Sequence, residues 1–242
     1  MKNSSTSLTK LTLQKFKRNS WGVFSFIFLC ACTFLALFAY VLAPDDSKNA
    51  NQMHLSIHSK TPGFKVKMLK IPYAEEEQNS FSEFFIGKKN TALEIPISDY
   101  IIQDDLLRIT EYNDEGVDGI IKDYSSSLFF KADDINKVPE LYIAEKHFLL
   151  GTDKYGRDLL SRMLIGIRIS LAIGFVSVFI SLIIGISMGA IAGYFGGKVD
   201  AFIMWVINVT WSIPTLLLVI AITLALGKGF WQVFIAVGLT MW

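Results

Sequence analysis

Three stretches of this chain, Trp21–Leu42, Ile169–Gly197 and Ala201–Gly227, contain no Asp, Glu, Lys or Arg. A helix of roughly 20 apolar residues, rising 1.5 Å per residue, crosses a hydrocarbon layer of about 30 Å. Membrane spans are therefore predicted over 21–42, about 169–195 and about 201–226. The run Phe230–Trp242 is equally apolar but stops after 13 residues, too few to cross. It is read as a fourth span cut short rather than a re-entrant piece. A chain of 242 residues that is 52% hydrophobic could also be a rich soluble core, and the clustering of its apolar residues decides between the two. The expected fold class is an all-α polytopic membrane protein with a small β-containing insert.

The net charge of +1 hides an asymmetry. Residues 1–20 carry Lys2, Lys10, Lys15, Lys17 and Arg18 and no acid, whereas residues 43–147 hold 12 Lys and Arg against 19 Asp and Glu. Basic residues flanking a span stay on the cytoplasmic side. The tail, 1–20, is thus expected inside and the insert, 43–147, outside. A basic tail can also touch nucleic acid, but scattered cations before a span are a topology signal first, and no nucleic-acid partner is expected. The apolar run 21–42 exceeds the core of a signal peptide and is not followed by a small-x-small cleavage site, so it is kept as a span. Cys30 and Cys32 diverge on one helix and are not expected to bridge.

Within the insert, Lys65–Ile71 alternates polar with apolar, and Leu106–Tyr112, Asn113–Gly116 and Val117–Tyr124 read as a hairpin with a four-residue turn. The acidic residues Glu75–Glu77 and Asp114, Glu115 and Asp118 lack the calcium-loop pattern and read as solvated surface. His54 and His58 have no third ligand in view and read as surface residues. No metal site is expected.

From His147 the chain turns back toward hydrocarbon. Gly151, Thr152, Asp153 and Gly156 are turn residues. Beyond them Leu159, Leu160, Met163, Leu164 and Ile167 form an apolar stripe, with Arg157, Asp158, Ser161, Arg162 and Arg168 largely off it. Residues 148–168 are therefore expected to form a turn and either an interfacial amphipathic helix, with Asp158 and Arg162 paired at four residues' spacing, or simply the charged end of the next span. In the next span Ser181, Gly185, Gly189 and Gly193 recur every fourth residue, a ridge suited to close helix packing in lipid. Pro214 removes a backbone donor and is expected to bend its span, with nearby hydroxyls satisfying the freed carbonyl. Asn208 is expected either to bond a neighbouring helix or to face a wet pathway.

No catalytic residue is expected. Phosphate-loop, GxSxG, HExxH and CxxC patterns are missing, no carboxylate lies within a span, and no cofactor is implied. Uphill transport by such a chain would draw its energy from another subunit.

Several separated segments resemble one family in order along the chain. They are Lys15–Asn19 (KFKRN), Ala43-Pro44, Gly151-Thr152-Asp153 with Gly156-Arg157-Asp158 and Ser161-Arg162, Gly166-x-Arg168-x-Ser170-Leu171, and Ala192–Gly197 with Asp200. Together they resemble the permease subunits of bacterial dipeptide and oligopeptide ABC importers, the C-type half of the permease pair. The resemblance implies a six-helix subunit of the bacterial cytoplasmic membrane, embedded in the lipid bilayer. Its partners would be a second permease, two cytoplasmic ATPases and an extracytoplasmic solute-binding protein. It also implies that the GTD and GRD residues sit at the outer entrance. The large insert departs from the family pattern, and neither the cytoplasmic coupling loop nor the last two spans is present. The rival reading is a membrane-anchored sensory or binding protein working through its acidic insert.

Overall fold

The computed structural model describes residues 8–45, 47–72, 83, 87–103, 105–113, 119–129, 134–227 and 229–242. The expected acidic surface at 75–77, 114, 115 and 118 lies outside them. Two compact units divide at Arg168, within one helix, and comprise Met1–Arg168 and Ile169–Trp242.

The first unit begins with helix α1 (Leu8–Arg18), separated by Asn19 from α2 (Ser20–Leu37) and then a short α3 (Ala39–Leu42). The Asn19 side chain accepts the Gly22 N–H at 3.1 Å, so the start of α2 is capped within the chain. After a loop comes a five-stranded antiparallel sheet in the order β4-β3-β2-β1-β5. Its strands are β1 (Phe64–Pro72), β2 (Ala92–Gln103), β3 (Leu106–Glu111), β4 (Ile121–Ser125) and β5 (Ile143–Phe148). A small helix, α4 (Val138–Tyr142), precedes β5.

The helices with candidate spans and the β-containing insert are both present, but the insert carries a full five-stranded sheet, more than a small addition to an all-α chain. The alternation in β1 is real, but both of its faces are covered. Leu69 and Ile71 join Ile95, Ile97, Leu107 and Ile109 beneath Phe129, Ile135 and Val138. On the opposite face, Val66 and Met68 pack with Phe148 and with Ile57 of the loop after α3. The expected hairpin is present as β3 and β4, but its second strand starts at Ile121, so the connection is longer than four residues. The sheet opens and closes at one neck. Phe64 pairs with Phe148, and the Gly63 N–H reaches the carbonyls of Phe148 at 3.0 Å and Leu149 at 3.2 Å.

Helix α5 runs without interruption from Leu159 to Phe195, 37 residues. This corrects the separate interfacial helix, because residues 159–168 are the first turns of the long helix. At 1.5 Å per residue it is about 55 Å long, well beyond a hydrocarbon thickness of about 30 Å. Its charged first turns can therefore stand clear of lipid.

In the second unit, α5 is followed by α6 (Gly197–Ser212), α7 (Thr215–Leu226) and α8 (Phe230–Thr240). The α2 and α5 helices are long and apolar enough to cross a membrane. The α6 and α7 pair, bent by 92° at Ile213-Pro214, is a third candidate only if taken as one broken span. The bend at Pro214 is thus larger than a kink. Hydroxyls do occupy carbonyls before it, Thr210 on Val206 at 2.9 Å and Ser212 on Asn208 at 2.6 Å, while the Thr210 carbonyl accepts the Ile213 N–H at 3.3 Å.

Candidate functional site

The GTD and GRD residues all lie in the first unit, and the structure gathers them against the loop that follows α3. Gly151 and Gly156 adopt positive φ, +77° and +72°. A side chain at either would strike backbone, the Lys60 carbonyl at Gly151 and the His54 carbonyl at Gly156. Only glycine allows the motif to lie so close to that loop. Thr152 is buried between the two glycines. Its hydroxyl donates to the Ile57 carbonyl at 2.6 Å and accepts the Lys60 N–H at 2.9 Å, while its own N–H reaches the Lys60 carbonyl at 3.1 Å.

Asp153 organises the turn. One carboxylate oxygen accepts the N–H groups of Tyr155 at 2.8 Å and Arg157 at 3.1 Å; the other accepts the Arg157 guanidinium at 2.8 Å. Partial burial pushes its pKa up, but these hydrogen bonds and the Arg157 charge outweigh it and hold the carboxyl below its ordinary value of 3.8. Arg157 also donates to Asn51 at 2.9 Å and lies over the Tyr155 ring at 4.6 Å. Arg162 turns toward Asp153, Nε to Oδ2 3.7 Å, which replaces the expected pair with Asp158.

Asp158 and Ser161 are buried, not off the packed face as their place outside the apolar stripe implied, whereas Met163 of that stripe is 54% exposed. The helix turns Ser161 inward with Leu164 and Ile165, and Leu160 and Leu164 pack on Ala39 and Ala43. Asp158 accepts the Ser161 N–H at 2.8 Å and, in a short hydrogen bond, the Ser161 hydroxyl. That hydroxyl in turn accepts the Asp45 N–H at 2.9 Å. A relay of three residues thus joins the segment just past α3 to the start of α5.

His54 corrects a second expectation: it is buried, not a surface residue. Its N–H donates to the Tyr155 carbonyl at 3.1 Å, and its ring lies 3.8 Å from Glu94, which also holds Lys146 at 2.8 Å and Lys70 at 3.2 Å. Burial, and then Lys146, lower the His54 pKa below 6.5. Glu94 is pushed up by burial, but Lys146 and Lys70 carry it below its ordinary 4.5. His58 is exposed, and among the described residues no cluster suited to a metal occurs.

The remaining candidates lie in the second unit. Ser181 donates to the Gly238 carbonyl at 3.0 Å, and Ser177 to that of Phe234 at 3.3 Å, so α5 packs on α8. A Cβ built at Gly185, Gly189 or Gly193 would meet nothing within 4 Å. Asn208 is exposed. An open cleft of about 450 Å³ adjoins the break, lined by Thr210, Trp211, Thr215, Leu218, Thr240 and Met241 among others.

The acid limb of stability tests the role of Asp153. A carboxyl whose folded pKa is lowered contributes stability that is present above its unfolded value, about 4, and is lost as pH falls through the lower folded value. Thermal unfolding midpoints measured from neutral pH downward should therefore fall more steeply for the parent than for Asp153→Asn. Parallel curves would deny Asp153 its role.

Comparison with known proteins bears on the same segments. Residues 7–62 match the N-terminal TM domain of oligopeptide transport permease C. The dipeptide transport system permease protein DppC of Lactococcus lactis is 39% identical over 95 residues, 39% of this chain and 28% of that protein. The oligopeptide transport system permease protein OppC of Bacillus subtilis is 37% identical over 120 residues, 50% of this chain and 37% of that protein. The glutathione transport system permease protein GsiD of Pectobacterium atrosepticum is 39% identical over 116 residues, covering 48% of this chain and 37% of that protein. The chain thus covers well under half the length of these curated relatives, and no solved structure matches it. Matched over residues 7–62 by the N-terminal TM domain of oligopeptide transport permease C and over part of their length by these permeases, the chain is similar to the permease components of peptide ABC transporters.

Proposed function

We propose that the chain is a membrane subunit of an ATP-driven importer and forms part of the path for peptides or a related small solute. In this reading an extracytoplasmic binding protein delivers the solute, a second permease completes the path, and two separate ATPases supply the energy. The chain lies in a bacterial cytoplasmic membrane, crosses it several times, and keeps its N-terminus inside and the sheet outside. The observation that carries the reading is the bonding of the GTD and GRD residues to Asp45–Lys60, the end of the segment that matches the permease domain.

That bonding supports a positioning role for the motif. Thr152, Asp153, Asp158 and Ser161 spend their polar groups on the chain itself. They fix the outer end of the first span to the start of α5. The substrate path is then sought among the core helices, with Asn208 and the cleft at the Pro214 break as its candidates, and the Gly185, Gly189 and Gly193 ridge is open to another helix.

Deletion of the gene in its native cell tests the reading. Uptake of labelled di- and oligopeptides should fall and return when the gene is restored. Undiminished uptake of peptides and related solutes, with loss of a signalling response instead, would favour a membrane-anchored sensor built on the sheet.

A further inference from the structure

Helix α1 has an unusual composition for an element joined by a single residue to a candidate span. Between Leu8 and Arg18 it carries Lys10, Lys15, Lys17 and Arg18 and no acid. At 100° per residue Thr9, Thr12, Leu13 and Phe16 share one side, while Lys10, Gln14, Lys17 and Arg18 share the other. Leu13 is 53% exposed and Phe16 37%. The apolar side is not free to face any direction. Phe16 meets Phe26 of α2 edge-on, ring centroids 5.8 Å apart, and lies beside Gly22. The side of α1 that carries Phe16 is therefore turned toward the span. Trp21, 80% exposed in the first turn of α2, marks the level at which indoles settle between hydrocarbon and water.

We propose that α1 is a binding surface for anionic lipid headgroups. Leu13 and Phe16 enter the acyl boundary, and Lys10, Lys15, Lys17 and Arg18 engage phosphate oxygens at the same level. The inference rests on α2 as a membrane span, and it reaches beyond transport. The apolar side alone is too small for firm attachment, since two exposed apolar side chains bury little area. The cations supply the rest, and only a surface of negative charge rewards four of them with no intervening acid. The basic tail then binds lipid as well as acting as a topology signal.

The full chain, reconstituted in phosphatidylcholine vesicles with or without phosphatidylglycerol, tests this. Both native cysteines are replaced by serine, and nitroxides are placed one at a time at Leu13, Lys17 and Phe28. In vesicles containing phosphatidylglycerol the Leu13 label should be shielded from a water-soluble relaxation agent while the Lys17 label stays at headgroup depth. Each Lys→Gln change at Lys10 or Lys15, which removes one positive charge, should weaken the shielding about fivefold, and Lys→Arg should preserve it. Equal shielding in both vesicle types, or none in either, would overturn the proposal. So would shielding that arises only when ATPase subunits are added, which would assign α1 to a protein partner. The Phe28 label separates the two readings: if it too is exposed to the agent, the span itself has failed, and with it the membrane reading.

Discussion

Gly156→Ala should unhook the motif from the loop after the first span. The new methyl group would meet the His54 carbonyl, a backbone atom held in turn by the Ile57 N–H at 3.0 Å, so neither side can yield cheaply. Positive φ adds roughly 1 kcal/mol for any residue with a Cβ, and overpacking adds roughly 1–3 kcal/mol. The expected loss, about 2–4 kcal/mol, is a large share of the 5–15 kcal/mol typical of a domain. Gly63 supplies the control. It has φ +83° but open space around it, so Gly63→Ala measures the backbone strain alone. Thermal unfolding of the purified protein in one detergent should rank the parent highest, Gly63→Ala slightly lower and Gly156→Ala far lower. If the two alanine variants behave alike, the close approach of Gly156 to His54 is wrong.

Ser161→Ala is expected to be nearly as damaging, for an electrostatic reason. Among the described residues its hydroxyl joins the Asp45 N–H to the Asp158 carboxylate, and all three residues are buried. Asp158 Oδ1 and Asp45 Oδ2 already lack hydrogen-bond partners among the described residues. Deleting the hydroxyl orphans a buried N–H and weakens the solvation of a buried carboxylate, together about 2–4 kcal/mol. A double-mutant cycle makes this specific. With Asp158→Asn already in place, Ser161→Ala should lose much less, a coupling of about 1 kcal/mol or more. Simple additivity would mean that the two side chains do not share the relay.

Where the first and second candidate spans lie was readable because charge-free runs of this length have few uses outside a bilayer. What the GTD and GRD residues do was not. Their spacing marked a turn followed by a helix, but the partners of Thr152 and the Asp45 partner of Ser161 lie about 100 residues earlier, and no local pattern encodes such pairing. Placing Ser161 off the packed face was reasonable for a helix whose neighbour is unknown. The neighbour is Asp45, and a buried backbone N–H there rewards a hydroxyl over an alkyl group.

Strand β2, the longest, escaped the alternation test for a different reason. Its inward positions Ile95, Ile97, Tyr100 and Ile102 change phase at the irregularity between Ile97 and Asp99, and Pro96 argues against a central strand. Strand β5 was hidden by Lys146, a cation on a covered face that its ion pair with Glu94 makes acceptable. The ridge of Gly185, Gly189 and Gly193 was read from spacing alone, and among the described residues nothing lies within 4 Å of a Cβ placed on it.

The neck at Gly63 and Phe148 separates two kinds of evolutionary freedom. Because the sheet enters and leaves through hydrogen-bonded neighbours, everything between them behaves as a cassette, free to lengthen, shorten or be exchanged without shifting the register of Thr152 on Lys60. The frame has no such latitude. One residue inserted between Asp45 and Lys60, or between Thr152 and Ser161, would put the Thr152 bonds to Ile57 and Lys60 out of step with the Asp45–Ser161 bond. Variation among related permeases is therefore expected to collect in the sheet, while the short segments on either side of it keep a fixed length.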